Sequence, residues 1–338
     1  MKKVFALVLS MMLFVSCAAA GTGFAENQKI NIVTTIFPIY DWVREIVGSD
    51  AEHVNITLLL DNGVDLHSYQ PTAQDILTIS TADLFVYVGG ESDEWVEDVL
   101  ESAMNPDLHA ISLVASMGDE IKAEEIVEGM EHEHDHDHGE EEDHDHEGQE
   151  DHEEDHEHED EADEHVWLSL RCARKLTAVI AGALAGIDPD FADHYQANAS
   201  AYMGKLDDLD TRYAETVNQS KYKAILFGDR FPFRYLADDY GLTYYAAFTG
   251  CSAESEASFA TIVFLAQKVD ELGLPAVLTI EHPRTRIAET VVQNTAAKDQ
   301  KILALDSMQG TTAPDIQAGM TYLSVMEANL EVLKEALN

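Results

Sequence analysis

Residues 29–60 read KINIVTTIFPIYDWVREIVGSDAEHVNITLLL, and this stretch decides the fold. Residues 29–35 carry Ile30, Ile32 and Val33 in a short apolar run that reads as a strand. Pro38 then opens residues 38–47, where Ile39, Trp42, Val43 and Ile46 fall at helical spacing. Residues 54–60 return to strand character. A strand, a helix and a second strand in about thirty residues imply parallel pairing through a right-handed crossover.

The alternation continues outward, with helices expected at 73–80 and 95–104 and strands at 84–88 and 109–113. Past residue 166 two helical segments follow, 170–184 and 190–217. The second begins near Pro189 and is long enough to act as a rigid connector. Alternation then resumes through 223–227, 235–240, 243–248, 259–272, 276–280, 286–297 and 302–305, and a final helix is expected over 316–337. The expected architecture is α/β: two β/α lobes with parallel sheets, joined by a long rigid α-helix. The chain divides into a leader and tether (1–25), a first lobe (26–168), helical segments with the connector (169–218) and a second lobe (219–338). Open parallel sheets place ligands at the carboxyl ends of their strands. A cleft between two such lobes is therefore a natural capture site.

Charge narrows the function. The 338 residues hold 64 Asp and Glu against 20 Lys and Arg, a formal net charge of −44. Such a surface repels nucleic acid and anionic lipid and attracts cations. The acidity is concentrated: residues 124–164 contain 24 Asp and Glu, nine His and no Lys or Arg. Almost nothing apolar lies between Met130 and Val166 to offset the entropy of ordering, so the stretch reads as a flexible, disordered insertion in the first lobe.

Its histidines are His132, His134, His136, His138, His144, His146, His152, His156 and His158. Imidazole suits zinc, copper, nickel and cobalt, whereas calcium and magnesium prefer oxygen shells. The tract therefore reads as an auxiliary set of weak transition-metal sites. A solvated acidic linker with incidental histidines is the bland alternative.

The N-terminus reads as a targeting segment. Lys2 and Lys3 precede an apolar run over 4–15 of signal-peptide length, shorter than the roughly 20 residues that span a bilayer. Phe14-Val15-Ser16-Cys17 is similar to a bacterial lipobox, with Phe14 where Leu is usual. On that reading Cys17 becomes the lipid-bearing N-terminus of an exported, extracytoplasmic protein. The alternative is ordinary cleavage after Gly23-Phe24-Ala25. Cys172 and Cys251 also lie in the exported part, and their spacing leaves open whether they pair.

Three residues in the lobes invite a metal reading. His67 follows the 54–60 strand, His165 stands where the acidic tract re-enters the fold, and Asp306 follows the 302–305 strand. Each has a plain alternative: a surface loop histidine, the last histidine of a tract, and a turn-capping carboxylate.

These residues sit in motifs that carry a family resemblance: DLHSYQPT at 65–72, EHVWLS at 164–169, RYLADDYGL at 234–242, EAS at 256–258 and ILALDSM at 302–308. The chain resembles the metal-specific solute-binding proteins of ABC importers, in particular the zinc-uptake branch, over residues 30–337. The resemblance implies that His67, His165 and Asp306 hold Zn²⁺ as transported ligand, with an acidic His-rich loop between the first two ligands. It implies delivery to an ABC permease and its ATPase by a monomer that is not an enzyme. One position departs. Five residues before Tyr235, where the family places a His or Glu ligand, stands Arg230, which has no lone pair to offer. Asp229 is the substitute candidate, and Cys251 and Glu254 are further cleft candidates. Acid is expected to favour release, because a protonated imidazole cannot ligate.

Three other readings compete. A Mn²⁺ or Fe²⁺ importer of the same architecture fits the lobes, but manganese favours oxygen-rich shells. A secreted zinc hydrolase needs an open metal position and a nearby general base, and a flexible tract offers no fixed geometry for that. A secreted zinc buffer explains the tract but not two flanking lobes.

Overall fold

The computed structural model describes residues 29–49, 52–130, 162–252, 256–280 and 285–338. The leader with Cys17, the nine histidines of the tract and Glu254 lie outside the described residues.

In the first lobe, strand β1 (Ile30–Thr34) feeds helix α1 (Phe37–Val47) and then β2 (Val54–Leu58). Pro38 suits the first turn of α1, where a missing N–H costs nothing. Phe37, Ile39, Trp42, Val43 and Ile46 are fully buried on one face of that helix. Helix α2 (Ala73–Ser80) starts at a Thr72–Asp75 capping box. Strand β3 (Leu84–Tyr87), helix α3 (Trp95–Glu101), strand β4 (His109–Ser112) and helix α4 (Leu113–Met117) complete the lobe. Its four strands are all parallel, in the order β2-β1-β3-β4.

Helices α5 (Leu170–Ile187) and α6 (Ala192–Gln219) then cross to the second lobe. At 1.5 Å per residue, the 28 residues of α6 extend about 42 Å. Tyr195, Ala199, Tyr202, Leu206, Leu209, Tyr213 and Val217 recur every three or four residues and form its one buried stripe. The stripe grips both lobes: Asn198 Nδ2 donates to Ile46 O in α1 (3.0 Å), and Tyr213 Oη donates to Met326 O near the C-terminus (2.6 Å).

The second lobe repeats the topology of the first. Strand β5 (Ala224–Phe231), helix α7 (Arg234–Tyr240), β6 (Thr243–Thr249), helix α8 (Phe259–Leu272), β7 (Ala276–Thr279), helix α9 (Arg286–Asn294) and β8 (Lys301–Ala304) form a parallel sheet ordered β6-β5-β7-β8. The chain closes with α10 (Ala313–Gln317) and α11 (Tyr322–Ala336). The fold class is the one expected from sequence.

Two elements differ from expectation. Strand β5 does not stop at Phe227 but continues through a register shift between Phe227 and Arg230. Such bulges re-aim the residues beyond them, and here the residue beyond is Arg230. The single helix expected over 316–337 is two helices. Gly319 takes φ 97°, a left-handed conformation that breaks the helix, and Thr321 caps the next with Ser324.

The lobes are not loosely strung. Tyr322 N–H donates to Asp41 Oδ2 (2.8 Å), Tyr322 Oη donates to Trp167 O (2.8 Å), and Trp167 Nε1 donates to Ser307 O (3.0 Å). Trp42 meets the Tyr322 ring edge-on at 5.3 Å. All three aromatic rings are fully buried. Burying rings of this size is worth about 4–6 kcal/mol each before entropy is subtracted. These contacts tie the two lobes together.

Candidate metal centre

Parallel sheets deliver loops at their carboxyl ends, and every residue of the site but His165, which stands where the chain re-enters the fold, comes from such a loop. His67 sits in a 3₁₀ turn (Leu66–Ser68) reached from β2, with Asp65 capping the turn by accepting from His67 N–H (3.1 Å). Ser92 follows β3. His165 precedes a second 3₁₀ turn, Val166–Leu168. From the opposite lobe, Arg230 comes from the end of β5, Cys251 from the loop after β6, and Gln309 from the loop after β8.

His67 and His165 lie side by side, with ring centroids 5.2 Å apart and Nε2 atoms facing at 3.2 Å. Each ring is anchored through its other nitrogen. His165 Nδ1 is 2.9 Å from Asp163 Oδ1, which also accepts from the His165 backbone N–H. His67 Nδ1 is 2.7 Å from Ser92 Oγ. With Nδ1–H donated on both sides, both Nε2 lone pairs point at the same small space. Two lone pairs 3.2 Å apart repel unless a proton or a cation lies between them. Two nitrogens on one tetrahedral zinc, each at 2.0–2.1 Å, would stand about 3.3–3.4 Å apart. The pair is already spaced for one ion.

Cys251 completes a triad: one donor atom each from His67, His165 and Cys251 all lie within 4.8 Å of one another. The neighbouring Gly250 makes this approach possible. A Cβ there would sit 2.9 Å from His165 Cε1, so only glycine lets the second lobe close over the imidazole. Cys172 and Cys251 are both free thiols.

Arg230 occupies the cleft without ligating. Its Nη2 donates to Asp65 Oδ2, an ion pair that crosses from lobe to lobe, and to Gln309 Oε1 (3.2 Å). The Gln309 amide in turn places Nε2 3.3 Å from His67 Nε2. Arg230 thereby fixes which way the amide faces, and in this state Gln309 N–H donates to the imidazole lone pair. Burial pushes the Asp65 carboxyl up, but Arg230 and His67 together outweigh it and the net shift is downward.

Burial, and then the facing His165, lowers the pKa of His67 to about 3. The depressed value disfavours the protonated ring at His67. The linkage follows the same sign. The folded-state pKa is depressed, so neutral His67 contributes stability above about pH 6.5 that is lost as pH falls toward 3. Burial, and then Glu124, pushes the Cys251 thiol up, which favours its protonated form.

The other residues named from sequence lie outside the triad. Asp306 is largely buried, Oδ1 accepts from Met308 N–H (2.7 Å), and its backbone N–H and C=O bond the Asn329 side chain. Asp229 Oδ1 accepts from Arg230 N–H and Oδ2 from Ile280 N–H. Cys251 ranked behind both in sequence. Its signal was its place at a strand's carboxyl end, opposite two histidines that only the fold brings near. Gln309, Asp163 and Ser92 gave no sequence signal.

A cleft of about 450 Å³ leads from solvent to His67 and Cys251, and Glu91, Glu94, Glu124 and Glu164 line it. Near the two ends of the tract, Ala123 and Ala162 pair across an antiparallel bridge. His-Glu-x-x-His, a metalloprotease signature when one helix face presents it, occurs at 132–136 and 152–156. Both copies fall in alternating acid–histidine sequence, outside the described residues.

Residues 32–336 match the family described as zinc-uptake complex component A, periplasmic (ZnuA). The chain is similar to the zinc-binding lipoprotein AdcA of Streptococcus pneumoniae, at 33% identity over 335 residues, 99% of this chain. It spans 61% of that protein's length. It is also similar to the high-affinity zinc uptake system protein ZnuA of Bacillus subtilis, 30% identical over 336 residues, 98% of this chain and 96% of that one. Among solved structures, the Zn(II)-bound ZnuA-like domain of S. pneumoniae AdcA superposes with a TM-score of 0.68 at 29% identity, covering 91% of this chain and 99% of that one. The chain belongs to the periplasmic zinc-uptake complex component A family.

Proposed function

We propose that the chain captures Zn²⁺ in the interlobe cleft through His67 and His165 and delivers it to an ABC permease and its ATPase for import. The observation that carries this reading is the pair of anchored imidazoles whose Nε2 atoms face each other at 3.2 Å. Two nitrogen donors favour zinc over manganese, which prefers oxygen. Asp306, which follows β8 on the second lobe, is a further candidate carboxylate ligand. The names of the relatives support zinc as cargo and an extracytoplasmic lipoprotein, whose lipid Cys17 would carry. Among the described residues no helix is long and apolar enough to cross a membrane.

The mechanism follows from the charge layout. Acidic groups of the tract and cleft mouth raise the local cation concentration. The ion then displaces the Gln309 N–H from His67 and seats between the two imidazoles. The loaded monomer docks on the permease.

Competitive calorimetry on a chain lacking residues 131–161 tests the reading. One tight site that prefers Zn²⁺ over Mn²⁺ by at least about tenfold is expected, because nitrogen sites follow the divalent-metal affinity order. Loss of all tight binding on removing the tract would leave the chain a buffer. A preference for Mn²⁺ would move it to the other branch.

A further inference from the structure

Cys251 has no role in the reading above, yet its thiol shares a 4.8 Å sphere with the two imidazole donors. A second observation at the same wall points to a cation. Glu164 is 1% exposed, and its Oε1 accepts from Ser92 N–H (2.8 Å). Its buried Oε2 has no hydrogen-bond partner among the described residues and lies 3.9 Å from His67 Nδ1. A buried carboxylate oxygen left without a donor is costly unless a positive charge arrives nearby. Glu164 and Cys251 line the same cleft.

We infer that Cys251 Sγ is the third protein donor to the captured ion, which makes the centre a two-nitrogen, one-sulfur site. The inference rests on the capture reading and deepens it. Arg230 stands where an ordinary ligand is expected, so the second lobe must supply its donor from another loop. The loop after β6 supplies it from the far side of His165, with Gly250 permitting the close approach.

On binding, the S–H bond breaks heterolytically. The sulfur pair goes to the metal and the proton to the Glu124 carboxylate, which also accepts from Cys251 N–H (3.1 Å). A thiolate is a soft donor, so the site takes thiophilic borderline ions such as Zn²⁺ and Co²⁺ and rejects Mn²⁺ more strongly than an all-nitrogen-and-oxygen shell would.

Cobalt substitution of the whole mature chain tests this, because the acidic tract contains no cysteine. One equivalent of Co²⁺ is expected to give thiolate-to-cobalt charge-transfer absorption in the near ultraviolet. Cys251→Ser should abolish that band, and Cys172→Ser should leave it intact. Cys251→Ser should also narrow the preference for Zn²⁺ over Mn²⁺ by roughly tenfold or more, at least the loss expected for an outer-shell partner. If the band is absent while Co²⁺ binding still depends on His67, the cysteine inference fails and the capture reading stands. If His67→Ala leaves both the band and the tight site unchanged, the capture reading itself fails. Should Cys251→Ser not fold, the presence or absence of the band in the parent chain still decides the matter.

Discussion

His165→Ala is expected to lower the zinc affinity of the cleft by at least about a hundredfold, the upper end of what losing an outer-shell partner costs. His165 is fully buried, so its imidazole has no role as a solvated surface group. Its Nδ1 is already committed to Asp163, and only Nε2 remains to act. Removing the ring deletes one of two nitrogen donors and leaves a buried hollow beside Trp167, whose ring centroid lies 5.1 Å from that of His165. Part of the loss will therefore be structural. His67→Ala separates the effects, since that residue is partly exposed and sits on a turn at the cleft wall. Titration calorimetry on both variants, with thermal unfolding of the ion-free forms alongside, makes the check. Wild-type affinity in either variant would contradict the assignment.

Asp163→Asn is expected to cost about 10–100-fold in affinity while leaving the fold in place. One carboxylate oxygen accepts from both the His165 backbone N–H and His165 Nδ1, which pins the tautomer whose Nε2 lone pair faces the cleft. An asparagine carbonyl can keep the backbone contact, but it removes the charge that raises the basicity of the ring. The segment stays anchored because Asp163 N–H donates to Lys122 O and its carbonyl accepts from Tyr235 Oη. An unchanged melting temperature with weakened zinc binding identifies Asp163 as a positioning residue. Unchanged binding would mean that it only closes the loop.

Much of this architecture is legible in the chain because local chemistry and fold agree. Apolar runs of four to eight residues set the strands, and Pro38, Thr72 and Ser169 mark helix starts. The two imidazoles picked from sequence are neighbours in space because both follow carboxyl ends of first-lobe strands or re-entry points. What sequence cannot show is how the second lobe meets them. The bulge before Arg230 depends on Gly228 packing against the Ala288 backbone, where a Cβ would come within 2.5 Å. The orientation of Gln309 depends on Arg230, 79 residues away. Cys251 reaches His165 only because Gly250 lies flat against the ring. These are long-range contacts of single side chains, and no periodicity encodes them.

Arg230 changes the character of the site as well as its ligand count. Its ion pair with Asp65 joins the lobes through side chains of the protein itself. Preorganisation of this kind favours affinity over large-scale opening. It also places a fixed positive charge beside the cargo, which argues for ligands that bind zinc through covalent character, imidazole and thiolate, over a purely ionic shell.

Zinc K-edge X-ray absorption on a chain lacking residues 131–161 and loaded with one equivalent of Zn²⁺ tests the central claim most directly. The account predicts a four-coordinate shell with two imidazole nitrogens at about 2.0–2.1 Å and one sulfur at about 2.3 Å. A shell of oxygens without imidazole, or failure to retain zinc once the tract is gone, would contradict it.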